Sequence, residues 1–467
     1  MEITRAILET IELFFIIYLI GYTIILGFSV IIGAISVYEK RKKKELKNII
    51  KSENNVRVSI LIPAYNEEVT IVQTIESLLN LEYKDYEIIV IDDGSNDRTS
   101  EEVIRYCEMS KVERFIHNKI DTKPIKDIYE GSHNGIPIML VKKENGGKAD
   151  SLNVGINVAN YPWFICIDAD SILQADSLQK IVEPIIEDSR VVASGGAIML
   201  NNGVKLKDGK IQKYSMPRNL LASMQVIEYN RTFLASRIMF DKINANLIIS
   251  GAFGLFKKDI VIAAGGYEPS TRGEDMELVI KLHTFCRANK INYKMRYVSD
   301  AICWTQAPEN LGDLIKQRKR WHVGLYECMK KYNQILLRPE YGVIGSIAYL
   351  YFAIYEFLSP YIEICGMVVT ILLFLLNIVN IKFMIGFYLF YTLLGVLITI
   401  VAYFTTIYIN ELNFNMKNVG KVLMLCFFEV GFLRMVLSWV RFTALIGYRK
   451  NKYKWGKIER KKIKQVI

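Results

Sequence analysis

The chain has 467 residues, of which 51% are hydrophobic, and carries a formal net charge of +11. That is too apolar for one ordinary soluble domain, and the apolar residues gather at the two ends, so the composition describes an integral membrane protein. The charge is local: residues 40–51 hold seven Lys/Arg against one Glu, residues 449–467 hold nine against one, and the remainder is slightly acidic. With no basic stripe left in the globular part, nucleic acid is excluded as a partner.

The first element is the uncharged run from Leu13 to Ser36. It is long enough to cross ~30 Å of hydrocarbon as a helix, and it lacks the short basic start and small-residue cleavage site of a secretory signal. We read residues 1–38 as a retained membrane anchor. The basic runs on either side of the apolar regions place both flanks in the cytoplasm.

Residues 52–335 read as a soluble α/β region. Val56 to Ile62 is an apolar strand closed by Pro63, with a helix expected from Asn66 to Asn80. Glu87 to Ile91 is a second strand, followed by a helix opening near Thr99, and Pro137 to Val141 and Trp163 to Ile167 are further strands. Strands alternating with helices predict a mostly parallel sheet covered by helices, with ligands at the carboxyl ends of the strands. Residues 110–140, polar and Lys-rich, read as a surface loop.

Three polar clusters fall at those strand ends. Pro63-Ala64-Tyr65-Asn66-Glu67-Glu68 is either a helix start capped by Asn66 or a binding loop. Asp92-Asp93-Gly94-Ser95 is either a plain turn or a pair of carboxylates accepting from a base N–H and ribose hydroxyls. Asp168-Ala169-Asp170 follows a buried strand, where two carboxylates two residues apart suit one hard cation, Mg²⁺ or Mn²⁺, bridging to a diphosphate. Asn145-Gly146-Gly147-Lys148 offers a flexible loop with a cation for a phosphate oxygen, or a turn with a surface Lys. Glu274-Asp275 opens an apolar-periodic stretch, as helix-start acids or as a base for a sugar hydroxyl. If residues 310–328 are helical, Gln317, Arg320 and Trp321 share one face and present an amide, a charge and an aromatic wall. Seven cysteines and four histidines show no metal-ligand spacing, so a zinc site is not expected.

Residues 341–448 contain apolar runs at 341–359, 361–380, 383–409 and 420–447, read as about four helices, the first a candidate for lying in the interface. A chain leaving the cytoplasm near 340 and returning at 449 crosses an even number of times, four, or two with two surface-lying segments. Glu356, Glu363, Glu429, Arg434 and Arg441 within this block are costly unless they face a wet cavity or one another. With the nearby tyrosines they line a saccharide channel or form an interfacial belt. A basic tail closes the chain at 449–467.

Taken together, PAYNEE, DDGS, DAD, GED and QRKRW, in this order and followed by apolar helices, resemble the processive family 2 glycosyltransferases, the group of the cellulose, chitin, hyaluronan and poly-N-acetylglucosamine synthases. The resemblance covers nearly the whole chain. It implies a cytoplasmic GT-A domain inserted between transmembrane helices, in which Tyr65, Glu67 and Asp93 bind uridine, Lys148 meets phosphate, and Asp168 and Asp170 handle nucleotide and metal. Asp275, beside Glu274, is the implied base, while Gln317, Arg320 and Trp321 hold the diphosphate and stack on the acceptor sugar. The implied activity is polymerisation of UDP-glucose or UDP-N-acetylglucosamine into a β-linked exopolysaccharide that leaves through the plasma membrane, with accessory secretion subunits compatible but unnamed by any residue pattern. Trp455-Gly456-Lys457 and Arg460 faintly resemble the gating loop of hyaluronan synthases. Arg272-Gly273 before Glu274-Asp275, where cellulose synthases have Thr, counts against cellulose. Two rival readings are transfer of a single sugar to a lipid carrier, against which the QxxRW-type segment speaks, and a catalytically silent membrane assembly subunit, against which the intact acids speak.

Overall fold

The computed structural model describes residues 2–47, 56–207, 209–232, 236–378, 380–412 and 418–448. The basic tail, with Trp455, Gly456, Lys457 and Arg460, lies outside them, as do residues 48–51 of the first basic run.

Ten strands form one sheet: β1 (Val58–Ala64), β2 (Tyr86–Asp92), β3 (Ser110–Val112), β4 (Ile125–His133), β5 (Ile136–Lys143), β6 (Trp163–Cys166), β7 (Ile172–Leu173), β8 (Val191–Leu200), then β11 (Gly254–Lys257) and β12 (Lys294–Thr305); β9 (Val204–Lys207) and β10 (Lys210–Tyr214) make a separate hairpin. The spatial order is β3-β4-β5-β2-β1-β6-β11-β8-β12-β7. The central strands β5, β2, β1 and β6 are parallel, as expected. The sheet as a whole is mixed, because β11 runs antiparallel to both β6 and β8, and β3, β4 and β7 also pair antiparallel. The expectation of a mostly parallel sheet is corrected accordingly. Residues 110–140 are only in part a loop, between Val112 and Ile125. The rest extend the sheet edge as β3 and β4, and Asn134-Gly135, both at positive φ, make the tight turn into β5.

The central strands are apolar along their whole length because both faces are covered. Ile60, Ile62, Ile88 and Val90 pack on one side with Ile71, Ile75 and Leu78 of the helix Ile71–Leu79. Leu61, Ile89, Ile91 and Phe164 pack on the other with Leu152 and Ile156 of the helix Lys148–Val158 and Leu278 and Leu282 of the helix Glu274–Ala288. The alternation places consecutive residues in different cores, which fixes the register. The chain order reverses at β1, flanked by β2 and β6, and the crevice at such a reversal is where α/β sheets bind ligands.

Three described helices are long and apolar enough to cross a membrane: Ala6–Ser36, Met384–Ile409 and Val419–Leu445. Ile344–Phe357 and Ser359–Leu375 pass the same test only as a pair, bent by 48° where Pro360 enters the second helix. The N-terminal helix packs into this group, with Tyr18 stacked on Tyr355 at 5.4 Å between ring centroids.

Candidate active site

The loops after β1 and β2 are laced together. The backbone N–H of Asn66 donates to Ser95 Oγ at 3.0 Å, that of Glu67 to Thr99 Oγ1 at 2.8 Å, and that of Asn96 to Asn66 Oδ1 at 2.9 Å. Asn66 therefore does not cap a helix; it sits at φ 57° as a bridge, and the helix begins only at Ile71. Tyr65 is left half-exposed, while Glu67 is buried with its carboxylate accepting from Thr70 Oγ1 at 2.7 Å.

Asp93 is the hub of the next loop. Its carboxylate accepts from Lys143 Nζ at 2.6 Å and from the backbone N–H groups of Gly146 and Gly147 at 2.9 and 2.8 Å. Lys143 is fully buried and also pairs with Asp150 at 2.7 Å. The pair fixes the Asn145-Gly146-Gly147 turn and so aims Lys148, the first residue of its helix, at the carboxylates after β6. Lys148 Nζ donates to Asp168 and, at 3.3 Å, to the carbonyl of Gly251, and stands 3.9 Å from Glu274. Burial pulls the Lys148 pKa down, and the attraction of Asp168, Glu274 and Asp275 overcomes that and holds it above its ordinary value.

Glu274 and Asp275 form the first turn of the helix Glu274–Ala288, where carboxylates complement the helix dipole. Burial raises the Glu274 carboxyl above its ordinary range, with Asp275 adding to this against the pull of Lys148. Asp275 accepts from the N–H of Met276 at 2.8 Å and of Gly251 at 3.3 Å, which holds it at the mouth of the same crevice.

The helix Leu311–Lys331 brings the last group. Its N-cap Asn310 accepts from the N–H of Asp313 at 2.9 Å. It crosses the start of the Glu274 helix at two glycines: a Cβ on Gly324 would lie 2.9 Å from the backbone of Gly273. That close approach seats the helix whose Gln317, Arg320 and Trp321 line the same cavity as the carboxylates. Arg318, 3% exposed, makes a two-pronged pair with Glu228 at 3.0 and 2.7 Å and lies 4.6 Å over the Trp321 ring. The indole is thus backed by a cation on one side and 41% exposed on the other.

Tyr65, Glu67, Asp93, Lys148, Asp168, Asp170, Glu274, Asp275, Gln317, Arg320 and Trp321, every site residue expected from the sequence, line a single cavity of about 2500 Å³. Pockets that take a drug-sized ligand are roughly 300–1,000 Å³, so there is room for a second substrate. The cavity continues past Trp321 to Tyr22, Tyr355, Glu363 and Arg434, among the apolar helices. For a cation, Asp168 and Asp170 supply hard oxygen donors. Among the described residues no three His, Cys, Asp or Glu side chains converge, so the remaining ligands would be phosphate oxygens and water, which fits Mg²⁺ or Mn²⁺. The sequence reading missed Lys143, Glu228 and Arg318. Arg318 had a signal, its i,i+3 spacing to Trp321; Lys143 at the end of an apolar strand had none.

A mixed sheet with carboxylates at the ends of β1, β2 and β6 is the GT-A fold of nucleotide-sugar glycosyltransferases. The family described as "Glycosyltransferase like family 2" matches residues 55–324, and the chain belongs to it. It is 27% identical over 440 residues to a poly-β-1,6-N-acetyl-D-glucosamine synthase of Staphylococcus epidermidis, covering 92% of each chain. A protein of the same name from Staphylococcus aureus (strain COL) is 29% identical over 343 residues, covering 73% of this chain and 71% of that one. Among solved structures, a mannosyltransferase from Pyrobaculum calidifontis, in complex with GDP-Man and Mn²⁺, aligns with a TM-score of 0.52 at 18% identity over 86% of this chain and 99% of that one, a likeness of fold.

Proposed function

We propose that the chain is a membrane-embedded, processive, inverting glycosyltransferase that polymerises UDP-N-acetylglucosamine into a β-linked polymer and passes it between its own helices. The observation that carries this is the single cavity running from the carboxylates to the apolar helices. The choice of an amino sugar over glucose rests on the relatives' names.

In this reading Tyr65, Glu67 and Asp93 form the nucleoside end and Trp321 is the floor on which the acceptor sugar stacks. Asp275 takes the proton from the acceptor hydroxyl as that oxygen attacks the anomeric carbon. The bond from that carbon to the diphosphate oxygen breaks on the opposite face, with inversion. Arg320, Gln317 and Lys148 stabilise the charge that develops on the departing UDP. Asp168 and Asp170 would hold Mg²⁺ or Mn²⁺, which when bound supplies further neutralisation of the diphosphate. The catalytic region is cytoplasmic and the helices cross the plasma membrane, with the basic flanks on the inner side.

The test is purified full-length protein in detergent with Mg²⁺ or Mn²⁺ and a panel of UDP-sugars. Release of UDP from UDP-N-acetylglucosamine with a polymer cleaved by a β-N-acetylglucosamine-specific glycanase is expected. UDP release with only lipid-linked monosaccharide would replace the processive reading, and no release with any donor would remove the catalytic one.

A further inference from the structure

The cavity has a lobe that the proposed chemistry does not use. Asn201 directly follows β8, Lys205 lies on β9, Lys213 on β10, and Arg218 precedes the helix Leu220–Thr232; all four line the cavity that holds Asp170. Lys205 and Lys213 are direct cross-strand partners in the β9–β10 hairpin. Like charges opposed in this way are unfavourable unless something of opposite sign sits between them. Among the described residues, the side chains of Lys205, Lys213 and Arg218 make no hydrogen bond or ion pair. Asn201 is 8% exposed, and its buried Nδ2 has no hydrogen-bond partner. An unsatisfied buried donor on the strand end that leads to these three cations adds a hydrogen-bond donor to their positive charge, and the nearby Glu309 carboxylate is occupied by Asn202 Nδ2 at 3.2 Å.

The lobe is held rigidly. The N–H and Oγ of Ser215 both donate to the carbonyl of Gly203, at 3.1 and 2.7 Å, and a Cβ on Gly203 would overlap the Ser215 carbonyl oxygen at 1.9 Å. Only glycine lets the strand leaving Asn201 meet the strand leading to Arg218. The hairpin also rests against the ends of the apolar helices: Tyr214 and Tyr403 hydroxyls are 3.5 Å apart, and Lys421 Nζ donates to the Pro217 carbonyl at 3.1 Å.

We propose that Asn201, Lys205, Lys213 and Arg218 form a second anion site that binds the phosphate groups of a nucleoside diphosphate entering or leaving the catalytic pocket. This deepens the proposed function and rests on it for the identity of the nucleotide, while the phosphate chemistry stands on the lobe itself. Because the hairpin meets the helix ends, a phospholipid headgroup is the other source of the same phosphate.

The test is binding by full-length protein in uncharged detergent, read by calorimetry with UDP and with inorganic phosphate as probes. The exposed residues permit a double variant, Lys205→Ala with Lys213→Ala, and Asn201→Asp turns the buried donor into an acceptor in nearly the same volume. Each is expected to weaken phosphate binding roughly tenfold at low ionic strength, with the double variant's loss shrinking as salt is added. A UDP affinity that falls in parallel supports the nucleotide. If UDP affinity holds but binding to phosphatidylglycerol vesicles falls, relative to phosphatidylcholine vesicles, the site stands with a lipid as its phosphate source. Unchanged binding of all three probes in both variants would overturn the proposal. A wild-type protein that binds phosphate but releases UDP from no donor would refute the catalytic reading and leave the site intact.

Discussion

The two ends of the cavity handle charge in opposite ways. At the sheet end, acids are held by backbone N–H groups and by Lys148, and Asp275 and Asp168 keep oxygen lone pairs turned to the cavity. At the helix end, two ion pairs join segments far apart in sequence. Arg231 meets Glu429, 1% exposed, through two bonds of 2.5 and 2.8 Å with Thr399 as a third partner. Arg434 meets Glu363 at 2.8 Å, and Ser438 donates to the same carboxylate at 2.6 Å. A charge that is already paired and desolvated holds structure together; a charge with spare lone pairs is available for substrate.

Four predictions sharpen that contrast. The largest effect is expected for Asp170→Asn, with polymer synthesis reduced about 10²- to 10³-fold and a fall in thermal midpoint smaller than for the buried pairs below, since Asp170 lines the cavity and its proposed role is electrostatic. Comparing turnover and melting on one preparation checks it; a large fall in midpoint would make Asp170 structural. Glu429→Gln and Arg318→Met should do the reverse, costing about 3–5 kcal/mol of stability because each leaves a buried charge without its partner. Denaturant unfolding in detergent reads this, and a cost below about 1 kcal/mol would mean the pairs are screened as surface pairs are.

Acidification gives the next effect. Burial depresses both His283, whose imidazole is held between Tyr293 Oη at 2.7 Å and the Asn246 carbonyl at 2.8 Å, and His322, stacked on Phe357, to about 4 from an ordinary 6.5. Each folded-state pKa lies below the unfolded one, so the unfolded chain takes up the proton first. Stability is full above about 6.5 and declines as pH falls from there toward about 4, by roughly 3 kcal/mol at most per histidine. Melting across that window, with His322→Gln showing a shallower decline than the native chain, is the check. An equal decline in both would remove His322 from the account.

Tyr448→Phe is expected to have the smallest effect. Tyr448 Oη donates to Glu327 at 2.7 Å, and the other oxygen of Glu327 accepts from the N–H of Arg272 at 2.7 Å, just before Glu274 and Asp275. Loss of that one hydrogen bond should cost about 1 kcal/mol. A loss of activity far beyond that would show that the end of the helix block steers the base directly.

Much of the sheet end was legible because strand ends are marked twice, by an apolar run and by the polar residues that stop it. β1, β2, β5 and β6 appear within two residues of their expected bounds. The Asn134-Gly135 turn is also written in the sequence, but the strand before it, β4, carries too few apolar residues to stand out. The place of β11 was not legible, since an antiparallel insertion between β6 and β8 depends on packing between segments some ninety residues apart. The sequence likewise gives no sign that Asp93 is held by Lys143, because that contact exists only once β2 and β5 lie side by side. At the helix end, the costly charges were visible, but their partners were not. Arg231 lies on the helix Leu220–Thr232, and nothing local ties it to Glu429.

The most direct test compares native protein and Asp275→Asn, both shown to be folded and to bind UDP with equal affinity, in the synthesis of polymer from UDP-N-acetylglucosamine. The account predicts that the variant binds nucleotide and makes about 10²- to 10⁴-fold less polymer, as loss of a general base requires. Polymer output equal to that of the native protein would contradict it.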